Sequence, residues 1–325
     1  MARSLRIDVH HHIFPSGSRR SVHRDPIGYH FPPENIPWTP EISLRTMDAL
    51  GIDLAVLSVP TGLPDPPAGP DNRRSARELN EMLANICKDH PDRFGWFAAT
   101  PLLTDTEAAL AEIAYALDVL GADGVGLASS YGLGKDAVYV GDDRLDPIWQ
   151  ELDRRGVAVH LHGAQTPSST HWPDKTLGLP ISEVPNETYK AAAHLVVTGK
   201  KRRYANVKII LSHLGGSSLI LAPRVAVLSH HMGSLLTPEE ILADFKTFYV
   251  DTALTAYETT LQTAKNFLPP DHVLFGTDFP AISKDMAAWY QKNIEQFYND
   301  NELKAVLSDN ILKLMPGLQK RIARA

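Results

Sequence analysis

The chain has almost no cysteine. Cys87 is the single one among 325 residues, which excludes an internal disulfide and a cysteine-rich zinc site. Long hydrophobic runs are also missing. No apolar stretch approaches the ~20 residues that span a bilayer, and the N-terminal MARSLRIDVHHH lacks the apolar core of a signal peptide. Positive charge is not in surplus. Lys and Arg total 32 against 38 Asp and Glu, a formal net charge of -6, so neither nucleic acid nor an anionic membrane is an expected partner. No Gly-rich turn follows the first strand candidate, and GLGKD at 132–136 lacks the spacing of a phosphate-binding loop. No organic cofactor is expected. Together these absences lead to the expectation of a soluble protein of the cytoplasm.

What is present is ordinary globular material. Hydrophobic residues make up 43% and charged residues 22%, enough for a sizeable core. Short apolar or β-branched runs fall at 5–9, 54–59, 94–99, 124–127, 157–161, 207–211, 248–251 and 272–275. Helical patterns lie between most of them, at 41–50, 75–90, 104–120, 257–267, 285–298 and 301–315. Ser75-x-x-Glu78 and Thr104-x-x-Glu107 read as capping boxes. Thr237, with Pro238 and Glu240 behind it, starts a further helix. Eight strand–helix alternations predict a parallel sheet, and eight units predict an α/β fold closed as a (β/α)8 TIM barrel. The expected organisation is one domain over 1–325, with inserted loops at about 13–38 and 163–186 and a C-terminal helix over about 301–315.

The chain is rich in histidine, with 14. Asp8, His10 and His12 lie at period two on the first strand, which puts them on one face and Val9 and His11 on the other. Two imidazoles so placed can share a divalent ion, although a packed histidine cluster would read the same way. His162 ends the fifth strand candidate, His213 follows the sixth and Asp278 follows the eighth. Barrel enzymes place their chemistry at these C-terminal strand ends. Chance easily supplies one such residue, but hardly all of them at matching ends. Asp251, ending the seventh strand, either supports the site or is structural.

This constellation resembles the amidohydrolase superfamily. The segments IDVHHHIFP, HPDRFGWFAATPL, ALDVLGADGVGL, DPIWQELDRRGVAVHLH, VKIILSHLGG and VLFGTDFP resemble its decarboxylase branch, which includes the aminocarboxymuconate semialdehyde, resorcylate and 6-methylsalicylate decarboxylases. The resemblance implies a barrel of the metal-dependent hydrolase type. It implies that His10, His12, His162 and Asp278 hold one divalent metal, zinc or alternatively manganese. It gives catalytic roles to His213 and Asp278 as acid/base groups. Gly126 and Leu127 stand where binuclear members carry a bridging lysine, which favours a single ion. His160 departs from the apolar residue usual in the family and reads as an interior histidine.

The implied activity is that of a carboxy-lyase: non-oxidative decarboxylation of a small ortho-hydroxylated aromatic acid such as 6-methylsalicylate. Protonation of the ring carbon that bears the carboxylate lets carbon dioxide leave, and chelation by a metal fixes the geometry. Phe14, Trp38, His171, Trp172 and Phe279 are candidates for an aromatic pocket; Phe14, Trp172 and Phe279, with Arg224, are the expected substrate contacts. Arg224 is implied to reach a neighbouring subunit of a homodimer. Arg19, Arg20 and Arg24 read as solvated loop charge. The alternatives are a hydrolase on the same site, either a lactonase or a carbon–carbon hydrolase, and a non-catalytic scaffold barrel.

Overall fold

The apolar runs form eight strands that stand side by side in chain order in a computed structural model, which describes residues 4–15, 24–25, 28–60, 67–132, 136–164, 174 and 176–323. They are β1 (Ile7–His12), β2 (Leu54–Ser58), β3 (Phe94–Ala98), β4 (Gly124–Ala128), β5 (Ala158–His162), β6 (Lys208–Leu211), β7 (Tyr249–Asp251) and β8 (Val273–Leu274). Every neighbouring pair is parallel. The seam between β8 and β1 closes through Val9 N to Phe275 O at 3.0 Å and His12 N to Phe279 O at 2.7 Å. A crossover helix follows each strand: α1 (Pro40–Leu50), α2 (Pro70–Asp89), α3 (Thr106–Tyr115), α4 (Asp146–Arg155), α5 (Leu179–Val197), α6 (Ser218–His231), α7 (Glu258–Phe267) and α8 (Lys284–Phe297). This is the (β/α)8 barrel.

Two apolar clusters hold it. The larger joins the outward residues of the strands, such as Leu57, Trp96, Leu161 and Val250, to the helices around them. The smaller gathers Ile7, Val9, Val56, Phe97, Ile210 and Leu274, with Ile311, Met315 and Leu318 of the C-terminal segment packed on it. That segment runs through Asp300–Lys304, Ala305–Asp309 and Asn310–Leu314. Cys87 is buried, and burial pushes its thiol up to about 12.

Several local expectations change. Helix α2 begins at Pro70 rather than at Ser75, because Gly69 precedes a proline already shaped for the first turn. Helix α3 begins at Thr106, and its cap residue Asp105 makes no side-chain capping bond, so neither serine nor threonine box forms there. The Thr237 box does form: Glu240 N donates to Thr237 Oγ1 at 3.2 Å, and Thr237 N to Glu240 Oε2 at 2.9 Å. The second loop ends early, because α5 starts at Leu179. The first loop contains a short strand pair, Arg24–Asp25 with Tyr29–His30, and a turn of helix at Pro33–Asn35.

The facing of β1 also differs from period two. The register slips between Asp8 and His11, the mark of a bulge. Val9 keeps to the face of Ile7, in the smaller cluster, while Asp8 and His11 come to share the other. Asp8 turns away from His10 and His12. Its Oδ2 lies 3.0 Å from His11 Nδ1 and accepts from Thr277 Oγ1 at 2.6 Å.

Candidate metal centre

His10 and His12 project from the end of β1, His162 from the end of β5, and Asp278 from the turn after β8. Each offers one donor atom, and these four atoms lie within 4.8 Å of one another. Nε2 of His10 stands 3.1 Å from Nε2 of His12, and Asp278 Oδ1 stands 3.4 Å and 3.2 Å from these nitrogens. Donors about 2.0–2.1 Å from a tetrahedral zinc ion stand roughly 3.3 Å apart. The spacing of the His10, His12 and Asp278 donors suits such an ion, and the His162 donor lies within 4.8 Å of them.

The opposite edge of each ring explains why Nε2 points inward. His10 Nδ1 donates to Asp251 Oδ2 at 3.0 Å, His162 Nδ1 to Gly163 O at 2.9 Å, and His213 Nδ1 to Ala253 O at 3.0 Å. Those oxygens only accept, so Nδ1 carries a proton and each ring, when neutral, keeps its lone pair at Nε2. His12 Nδ1 lies 2.9 Å from Ser58 Oγ. Four donor atoms converge here, and a divalent cation would satisfy them together in place of the proton that Asp251 and Asp278 favour on His10. The donor set therefore fits a divalent metal.

His213 sits beside this group but outside it. Its Nε2 is 3.3 Å from that of His162. Asp251 ties the arrangement together: Oδ2 also lies 3.1 Å from His160 Nε2, and Oδ1 accepts from the backbone N–H of His213 and of Ala253, both at 3.1 Å. His160 is buried and stacks on Phe97. Asp8 does the same for the β8 turn, accepting from Thr277 N at 3.0 Å.

Burial shifts every ring. It lowers His12 to about 4 and also lowers His160, His162 and His213. Burial lowers His10 as well, but Asp251 on one side and Asp278 on the other outweigh it and hold His10 up at about 10. A cation competes with a proton for that nitrogen. Burial raises Asp251 and Asp278, yet His10 holds both well below the usual carboxylate range.

The backbone is strained here. His213, Leu254 and Asp278 have φ of 57°, 55° and 67°, a region that costs a non-glycine residue about 1–3 kcal/mol and clusters at functional sites. Two glycines allow the loops to close in. A Cβ on Gly163 would lie 2.0 Å from Val184 O, and one on Gly216, where φ is 58°, 2.0 Å from Pro185 O. Both carbonyls belong to the first turns of α5, which the loops after β5 and β6 thus grip.

A cavity of about 340 Å³ opens above the donors, with His12, His162, His213 and Asp278 on its floor. Phe14 lines it, as the sequence suggested. Phe279 is not among the described lining residues; it is buried, with its ring 5.2 Å from that of His11. Trp38 is buried too, and donates from Nε1 to Ser43. Arg224 is exposed on α6 and is likewise absent from the described lining. Trp172, His171, Arg19 and Arg20 lie outside the described residues. The sequence reading missed Tyr29, Leu254, Met286 and Tyr290, all of which line the cavity. Burial raises the Tyr29 hydroxyl to about 12, and the charge of Asp278 adds to this.

The chain is 36% identical to a 6-methylsalicylic acid decarboxylase of Aspergillus aculeatus, over 97% of each chain. It is 36% identical to one of Penicillium expansum, over 98% of this chain and 99% of the relative. A solved structure of a dihydroxybenzoic acid decarboxylase from Polaromonas, with bound manganese, superposes with a TM-score of 0.82 at 23% identity, covering 97% of each chain. The amidohydrolase family profile matches residues 7–316. The chain belongs to the amidohydrolase family.

Proposed function

We propose that this chain is a metal-dependent, non-oxidative decarboxylase, a carboxy-lyase, acting on a small ortho-hydroxylated aromatic acid such as 6-methylsalicylate. The observation that carries this reading is the set of three imidazoles and one carboxylate at the base of a largely apolar, ring-sized cavity, into which His12, His162 and Asp278 open. The relatives that align over nearly the whole chain support it, since they are named decarboxylases rather than hydrolases.

In this reading His10, His12, His162 and Asp278 would hold one divalent ion, zinc by the donor set and manganese as the alternative. Such an ion supplies a Lewis acid for the substrate carboxylate and its ortho oxygen. Asp278 is ionised when the substrate arrives, takes the proton that the ortho hydroxyl gives up and delivers it to the ring carbon bearing the carboxylate; water returns a proton to the phenolate oxygen after carbon dioxide has left. The bond from that carbon to the carboxylate carbon breaks, its electron pair returns to the ring, and carbon dioxide leaves. His213, fixed through Ala253 O, holds or passes the proton at Nε2. The apolar walls keep water from the reacting carbon.

A homodimer belongs to the same reading. Ile220 and Val227 of α6 are exposed, as are Met232 and Leu235 beyond it. Arg224 lies on this helix and would reach a neighbouring subunit's site. Light scattering on the purified protein measures the assembly.

The activity test incubates metal-reconstituted protein with 6-methylsalicylate and follows 3-methylphenol and carbon dioxide. Stoichiometric release of both is expected. Ring opening of lactones with no turnover of any ortho-hydroxybenzoate would overturn the reading.

A further inference from the structure

Leu254 is a leucine where the backbone favours glycine or asparagine. Its φ is 55°, and it follows Ala253, whose carbonyl fixes His213. Nothing about a leucine side chain favours that conformation. The segment is held there by its neighbours: Asp251 Oδ1 accepts from Ala253 N at 3.1 Å, and Ala253 O accepts from Thr255 Oγ1 at 2.7 Å. The result is an isobutyl group on the wall of the substrate cavity, beside the acid/base histidine.

The rest of the wall sharpens what this means. Among the described residues that line the cavity there is no Lys and no Arg. The Thr255 hydroxyl is turned to the backbone. Away from the floor, the polar side-chain groups left are the hydroxyls of Tyr29 and Tyr290, while Ile282 and Met286 continue the apolar surface. A ring hydroxyl or second carboxylate pressed against Leu254 loses its water and gains no partner there. An alkyl substituent loses nothing and buries apolar area.

We propose that Leu254 is the specificity-determining residue of this site: it selects an aromatic monoacid whose ring carries an alkyl group, and rejects one with a hydroxyl in that place. The inference rests on the decarboxylase reading. The strain at Leu254 is what retaining this side chain costs the fold.

The test measures kcat/KM for salicylate, 6-methylsalicylate and 2,6-dihydroxybenzoate, with wild-type and Leu254→Asn holoenzyme, and records Tm for both. Asparagine is near leucine in size and tolerates positive φ, so the variant keeps or gains stability. Wild type is expected to prefer the methyl over the hydroxyl substrate, and Leu254→Asn to lower that ratio about tenfold or more while changing salicylate turnover far less. An unchanged ratio, or an equal fall on all three acids, overturns the proposal and leaves the decarboxylase reading standing. No carbon dioxide from any of the three with wild type overturns both.

Discussion

Oδ2 of Asp251 stands 3.0 Å from Nδ1 of His10. The same oxygen lies 3.1 Å from His160 Nε2, and its partner oxygen receives the backbone N–H of His213. One buried carboxylate thus links the ends of β1, β5 and β7 with the turn after β6. It orients the ring of His10 and raises the basicity of Nε2. Asp251→Asn keeps the shape and removes the charge. The expected outcome is metal binding weakened about 10- to 100-fold, read by competition with a chromophoric chelator, with secondary structure intact. Unchanged affinity would remove Asp251 from the account.

Gly163 tests the grip of the β5 loop on α5. A methyl group there meets Val184 O, a backbone atom that cannot swing aside. Gly163→Ala is expected to cost about 1–3 kcal/mol, the usual range for overpacking, and to lower the metal-dependent rate by moving His162. Thermal unfolding and activity should fall together. A variant as stable and as active as wild type would show that the loop relaxes freely.

Lys201 gives a pH signature. It is buried, and burial pushes its ammonium down to about 8, with Asp244 opposing and Lys208 adding. The unfolded value is about 10.4. Between the two, the unfolded chain binds the proton that the folded chain has shed, so stability rises with pH across that window. Lys201→Met removes the penalty, which is largest below pH 8 and reaches up to about 3 kcal/mol. Urea midpoints should show the variant ahead of wild type at pH 7, with the gap narrowing by pH 9.5. A gap that does not change with pH contradicts this.

The site was legible in the sequence where local geometry decides it. His10 and His12 are two apart on one strand, and His162, His213 and Asp278 each sit where an apolar run ends, so period and strand polarity suffice. Asp8 and Val9 were misplaced because a bulge breaks the alternation, and no residue in IDVHHH announces a bulge, whereas His11 does face away from His10 and His12. Helix α5 was hidden by Pro180 and by Pro185, which lies inside it. Helix α6 likewise carries Pro223. The cavity wall was unreadable for another reason. Tyr29, Leu254 and Tyr290 meet only through the closed barrel, and Leu254 faces the cavity through a backbone conformation that its side chain disfavours.

The central claim is that His10, His12, His162 and Asp278 hold one divalent ion on which carbon dioxide release depends. Protein stripped by a chelator is titrated with manganese or zinc while 6-methylsalicylate turnover is followed. Activity should be absent at the start, rise in proportion to bound metal and level off at one ion per chain, with His12→Ala failing to recover. Full turnover by the stripped protein, or a plateau with no ion retained, contradicts it.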